Sequence, residues 1–267
     1  MRLLRPIIPA VLSFYGLLVF TVFVLPVAFS ACSRDSAWCT FMYWMTESGG
    51  QRGTTIIVLL AAILYAGSFR SLTQKAKVFF LTVLTLGAVL ASFAYLNENV
   101  IKTLIRVHRP SHTYILRESK STARLDSLYL LTEPERRKFY EDLILPDTVT
   151  FRNMDSRVIA HWIDEVGYSF PSGHSFNTFL LGTILAFFIY HLAGRRYRWL
   201  HVLPLAWAML VAISRVALGV HTARDVSAGA ALGIVLASLV LSIPAVRGAM
   251  VKKESDTGEL PKSPRYR

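Results

Sequence analysis

Residues 171–193 read PSGHSFNTFLLGTILAFFIYHLA. Behind the polar tetrapeptide Pro171-Ser172-Gly173-His174, no Asp, Glu, Lys or Arg occurs through Ala193. A hydrocarbon layer is crossed by roughly 20 such residues in a helix, so 173–193 is read as a membrane-spanning helix. Its polar start has a chemistry of its own. Ser or Gly near a helix start leaves backbone N–H groups free, and the helix dipole favours an anion there. Gly173 permits close approach of backbone to a ligand, and His174 can donate a proton to a leaving oxygen. Taken alone, the tetrapeptide is equally an ordinary cap followed by an interfacial histidine.

Five further apolar stretches qualify by the same criterion, at 7–29, 53–69, 76–96, 199–220 and 225–246. The one at 53–69 is short and depends on its flanks. Pro9, Pro26, Pro204 and Pro244 fall in or near these runs, where neighbouring membrane helices can satisfy the freed carbonyls. The composition agrees: 53% of the 267 residues are hydrophobic and 17% charged, with a mean hydropathy of +0.43. A soluble domain of this size carries more charge. The expected fold is therefore all-α, an integral membrane bundle of six transmembrane helices forming a single domain over 1–267. It would carry a partly helical extracytoplasmic insert at 97–172 and a cytoplasmic tail at 247–267.

The net charge of +12 points to an anionic partner. The Lys and Arg residues cluster beside apolar segments instead of forming a solvated stripe, which favours an anionic lipid surface over nucleic acid. Arg2 and Arg5, then Arg70, Lys75 and Lys77, then Arg195, Arg196 and Arg198, then Arg247, Lys252 and Lys253 share one side if the six helices alternate. That is the cytoplasmic pattern, with both termini cytoplasmic and 30–52, 97–172 and 215–225 on the opposite face.

Two other segments at the apolar edges carry charge where charge is costly. Lys102 and Arg109 stand seven apart, two turns along one helix face, with Pro110 expected to stop that helix. Arg offers phosphate a planar fork of donors and Lys a point charge; either is also a common snorkelling anchor. Ser214-Arg215 adds another fork. His221 and Asp225, four apart, let a carboxylate accept from one imidazole nitrogen and leave the other nucleophilic. A structural His–Asp hydrogen bond is the competing reading, and Arg224 could pair with the carboxylate instead. All three segments fall on the same extracytoplasmic face, although topology was set by other residues.

In the insert, Thr132-Glu133-Pro134-Glu135 reads as a capping box with proline near the helix start. It opens a charged helix through Arg136, Arg137, Lys138, Glu141 and Asp142, read as a solvated surface helix. Cys32 and Cys39 are the two cysteines; in an oxidising periplasm they can pair, or stay free thiols. Phe29-Ser30-Ala31-Cys32 faintly resembles a lipoprotein cleavage site, but the preceding apolar run is longer than a signal core. A retained first helix is expected, with Cys32 lipidation as the alternative.

Lys102-x6-Arg109-Pro110, Pro171-Ser172-Gly173-His174 and Ser214-Arg215-x5-His221-x3-Asp225 together resemble the three-part signature of the type 2 phosphatidic acid phosphatase superfamily, with no position departing from it. The resemblance implies a metal-independent membrane lipid phosphatase that needs no cofactor. It makes His221 the nucleophile forming a phosphohistidine, Asp225 its positioner and His174 the proton donor. Lys102, Arg109, Ser172, Gly173 and Arg215 would bind the phosphate. The insert and the run from His161-Trp162 through Glu165-Val166-Gly167 to Phe170-Pro171 are similar to the bacterial phosphatidylglycerophosphatase B subgroup. That subgroup implies a bacterial inner membrane, a periplasmic site, and phosphatidylglycerophosphate, phosphatidic acid and undecaprenyl diphosphate as substrates. Glu165, nine residues before His174, could contact a substrate hydroxyl or relay a proton; the preferred reading is a solvated loop carboxylate. A transporter or flippase for phosphorylated lipids would use the same basic residues for binding only, but gives His221 and Asp225 no role. Oligomeric state is not legible.

Overall fold

The structure, a computed structural model, describes residues 3–24, 32–147 and 149–243. Among these there is no strand, only an isolated bridge between Ser33 and Met154. The helices in chain order are α1 (Ile8–Val24), α2 (Ala37–Gly49), α3 (Gln51–Gly67), α4 (Leu72–Leu96), α5 (Lys102–Ile105), α6 (Pro110–Glu118), α7 (Leu125–Leu128), α8 (Glu133–Ile144), α9 (Ser156–Asp164), α10 (Gly173–Leu192), α11 (Val202–Ala217) and α12 (Ala223–Ser242).

Apolar helices stand at each of the six places that hydropathy marks, but they are not equally long. Leu72–Ile105, Gly173–Leu192, Arg195–Ala217 and Ala223–Ser242 are long and apolar enough to cross a membrane. α2 and α3 meet the test only together, as a pair bent by 58° at Gly50, and α1 has 17 described residues. The number of crossings by length and composition is thus four, or five with the bent pair, among the described residues. The ends assigned to the first and last helices, residues 25–29 and 244–246, and the tail 247–267 lie outside the described residues.

α10 is the hub, packed chiefly against α12 and α11. It buries Phe176, Phe179, Leu180, Leu181 and Phe187. α12 comes unusually close because Gly229 and Gly233 face it. A Cβ at Gly229 would stand 2.3 Å from Ser172 O, and one at Gly233 2.4 Å from Phe176 O. Small residues that let backbones touch are how membrane helices gain contact when lipid removes the hydrophobic drive. α3 and α4 pair with each other, and in α4 only Leu86 is buried. Phe80 and Leu84 on α4 are 69% and 70% exposed, a surface suited to acyl chains and not to water.

Several local expectations are corrected here. The segment 30–52 holds a helix, α2, capped by Ser36 Oγ accepting from Cys39 N; its apolar Trp38, Phe41 and Trp44 are exposed. α4 ends at Leu96 as expected, but the helical path continues through a π-helical turn at Asn97–Ile101 into α5. Pro110 does not stop a helix; it starts α6. Arg106 in the left-handed conformation (φ 55°) has already ended α5, and proline, lacking an N–H, fits the first turn of the next helix.

The insert is helical in part, as α6 to α9. The capping box forms as expected, with Thr132 N donating to Glu135 Oε2 at 2.9 Å. The solvated reading of α8 holds for exposed Arg137 and Lys138 but fails for Arg136. Arg136 is buried and donates to the carbonyls of Leu128, Tyr129, Leu131 and Val166. Leu128 O also accepts from Leu131 N, and a guanidinium has enough donors for all four carbonyls. Cys32 and Cys39 form a disulfide, which leaves Cys32 Sγ no valence for a lipid thioether.

Candidate active site

Three chain segments meet at one end of the bundle. The α4–α5 run ends there, α10 begins there, and α11 turns there into α12. The π turn matters locally, because an extra residue per turn rotates the residues beyond it, and such turns recur at functional sites. Here it places Glu98 and Lys102 on one side, with Lys102 Nζ donating to Glu98 Oε1 at 2.5 Å. Asn97 Nδ2 donates to Pro171 O at 3.4 Å, tying this end of α4 to the start of α10.

A cavity of about 230 Å³ opens between these segments, lined by Lys102, Arg109, Gly173, His174 and His221 together with Glu98, Glu133 and Glu165. Five of the sequence-chosen site residues therefore share one wall. The other three sit behind it. Asp225 lies under His221, Arg215 lies behind Glu165, and Ser172 caps α10, its Oγ accepting from Ser175 N and Ser175 Oγ.

Arg109 is held by backbone before any ligand arrives. Its Nε donates to Gly167 O at 2.8 Å and its Nη1 to Val220 O at 3.2 Å. Nη1 also lies 3.4 Å from His221 Nε2. His221 is presented by the tight turn after α11, where Gly219 adopts φ 73° and His221 N donates to Arg215 O at 3.2 Å. Its Nδ1 lies 3.5 Å from Asp225 Oδ2. Arg224 is exposed and takes no part; Asp225 Oδ2 accepts from Thr222 N at 2.7 Å and from Ser169 Oγ. Burial, with Arg109 and Arg215 nearby, outweighs the opposing Asp225 and pushes His221 down to about 3, so its imidazole is neutral.

Glu165 overturns its reading as a solvated carboxylate. It is 20% exposed at the side chain, and its two oxygens take Arg109 Nη2 at 2.8 Å and Arg215 Nη2 at 2.6 Å. Burial opposes its ionisation, but Arg109 and then Arg215 hold it well below the ordinary carboxylate range. Arg215 Nη1 also donates to Thr46 Oγ1 and to His161 Nε2, each at 2.7 Å. Burial and then Arg215 push His161 down to about 4, as an acceptor nitrogen requires. Thr46, His161 and Ser169 were not singled out from sequence. The legible hint was the four-residue spacing of His161, on α9, and Glu165, which caps its C-terminal end.

His174 also lines a second, more apolar cavity of about 570 Å³ between α3, α4 and α10, together with Thr54, Val58, Leu59, Val83, Leu90 and others. The imidazole thus stands between a charged cavity and a groove along lipid-facing helices.

A buried histidine backed by a carboxylate, fronted by arginine and lysine at the mouth of an all-helical membrane bundle, defines an integral membrane protein built to handle a phosphate group. Comparison with known proteins carries this further. The family model described as the PAP2 superfamily matches residues 76–249, and the chain belongs to that superfamily. It is 26% identical over 216 residues to phosphatidylglycerophosphatase B of Haemophilus influenzae, covering 80% of this chain and 85% of that protein. It is 28% identical over 189 residues to the Escherichia coli protein of the same name, covering 68% and 67%. With the Bacillus subtilis protein of that name the identity is 32% over 118 residues, 39% of this chain and 58% of that one. The chain is a membrane lipid phosphatase of this kind.

Proposed function

We propose that the protein hydrolyses phosphomonoester or diphosphate lipids through a phosphohistidine on His221, at the periplasmic face of a bacterial inner membrane. The observation that carries this reading is the position of His221. Its Nε2 faces the cavity beside the Arg109 guanidinium, while Nδ1 is turned toward Asp225. A neutral imidazole oriented from behind is a competent nucleophile.

In this reading Lys102, Arg109 and the N-terminal end of α10 at Ser172 and Gly173 receive the phosphate oxygens and stabilise the charge that spreads over them during transfer. His174, which lines the same cavity, gives a proton to the leaving oxygen and later helps activate water. Arg215 reaches the phosphate only if Glu165 releases it, so substrate binding exchanges one anion for another on the same two guanidinium groups. The groove at α3, α4 and α10 receives the lipid chains, because it meets the charged cavity at His174.

In this reading the chain crosses six times, with 247–267 and the N-terminus cytoplasmic and 97–172 outside; the basic flanks at 70–77 and 195–198 support a periplasmic position for this end of the bundle. The whole chain acts as one unit in which the insert roofs the site. The relatives' printed name suggests phosphatidylglycerophosphate as substrate; phosphatidic acid and undecaprenyl diphosphate present the same terminal phosphate on a lipid. The test is phosphate release from each of the three by purified protein in detergent with chelator present. We expect turnover, inhibition by vanadate, and loss of at least about a thousandfold in His221→Ala. Unchanged phosphate release by His221→Ala on all three lipids overturns the mechanism.

A further inference from the structure

Ser169 has no part in the phosphate-binding or acid–base scheme, yet its side chain is fully buried against both His221 and Asp225. The backbone fixes where that hydroxyl can go. Ser169 N donates to Val107 O at 2.8 Å, and Ser172 N donates to Asp225 O at 3.0 Å. The segment is stitched on one side to the chain that carries Arg109 and on the other to α12.

A hydroxyl has one proton and two lone pairs, and an ionised carboxylate only accepts. The contact between Ser169 Oγ and Asp225 Oδ2 therefore puts the hydroxyl proton toward Asp225. What remains for His221 is a lone pair on Oγ, 3.2 Å from Nδ1 and nearer than Asp225 Oδ2 at 3.5 Å. An Nδ1–H donor fits that arrangement, whereas the other tautomer sets two acceptors against each other. With Nδ1 protonated, Nε2 keeps its lone pair on the side of Arg109 and the cavity.

We propose that Ser169 is a positioning residue that relays Asp225 to His221 Nδ1, selecting the tautomer whose Nε2 attacks phosphorus. The proposal rests on the phosphohistidine reading above. In that step the Nε2 lone pair forms the N–P bond while the P–O bond to the leaving group breaks. The leaving oxygen takes its proton from His174. The ring becomes an N-phosphorylated imidazolium whose Nδ1–H stays bonded to Ser169 Oγ, and the hydroxyl's own proton stays directed at Asp225, so the carboxylate charge reaches the ring through one oxygen.

Losing a hydrogen bond to a charged group lowers a rate by about ten- to hundredfold. Ser169→Ala is expected to lose that much in kcat with KM changed less than about twofold, since it touches no phosphate ligand. Ser169→Thr restores most of kcat. Ser169→Cys, close to isosteric but a weak donor and acceptor, falls between; it serves as the test if the alanine variant is not recovered folded. In an Asp225→Asn background Ser169→Ala adds little, because a relay without its charge has nothing to pass on. Labelled substrate quenched in alkali, where phosphohistidine survives, separates the two readings. If the unaltered protein traps no label, the phosphohistidine reading fails. If it traps label but Ser169→Ala keeps kcat within about twofold, or its effect multiplies fully with that of Asp225→Asn, the Ser169 relay alone is overturned.

Discussion

Glu165 and Arg215 are 50 residues apart in the chain, and Arg109 and Gly167 are 58 apart. Their meeting creates a carboxylate clamped by two guanidinium groups where a phosphate is expected to bind. Removing one member of a buried ion pair leaves the others uncompensated and costs on the order of 3 kcal/mol. Glu165→Gln should therefore lower the melting temperature in detergent, and inorganic phosphate or vanadate should restore more stability to the variant than to the unaltered protein. A variant that melts normally and ignores both anions would show that Glu165 is not the arginines' counter-charge. Arg109→Lys should cost about a hundredfold in kcat/KM, because a lysine cannot hold Gly167 O, Val220 O and Glu165 at once. Lys102, Arg109, Gly173, His174 and His221 were legible in the sequence because they sit at helix ends that topology alone brings together. Glu165 and Ser169 were not, since their partners depend on the path of loops whose direction no periodicity encodes, and Thr46 was not because α2 was read as part of an outside loop.

At the scale of the element, apolar period and length locate the long helices within a few residues, while their junctions obey subtler rules. Pro110 carried the right signal with the wrong sign: a helix break before it is also a helix start at it. The π turn at Asn97–Ile101 leaves no mark in composition, so the unbroken helical path from α4 into α5 was not legible. Gly49-Gly50 marks the break between α2 and α3, which turned an expected loop into half of a bent pair. The α10–α12 contact is the junction on which the chemistry depends most, because one helix begins at Ser172 and Gly173 and the other carries Asp225. A methyl group at Gly229 meets Ser172 O, which is backbone and cannot rotate away. Overpacking of this kind costs about 1–3 kcal/mol. Gly229→Ala should lose activity more steeply than stability, and Gly229→Val should lose both; phosphate release and detergent melting measured on the same preparations check the ordering. Equal activity at equal yield for Gly229→Ala would mean that the two helices can part without moving the site.

Over the molecule as a whole, burying a charged site at a membrane edge makes folding stability depend on pH. Three histidines outside the spanning segments are held neutral. Burial, then Arg109 and Arg136, push His112 down to about 3, while His161 and His221 lie at about 4 and about 3. In the unfolded chain a histidine titrates near 6.5. Between the two values the unfolded chain binds the proton and the folded protein does not, so stability rises with pH through that window. The contribution is fully present above about pH 6.5 and drains as the pH falls, until each folded-state value is passed. Each group removes about 1.4 kcal/mol per pH unit within its window. Glu165, held low in the fold, adds a loss of the same sign, but only below the ordinary carboxylate range near 4.5. The interval from pH 6.5 to 4.5 therefore isolates the histidines from that carboxylate. Detergent melting temperatures should fall steadily across it, and His161→Asn, which leaves an acceptor for Arg215, should flatten the slope by about one proton. A slope unchanged by that substitution would mean that His161 is protonated in the folded protein, and the Arg215 contact at 2.7 Å could not then be a donor–acceptor pair.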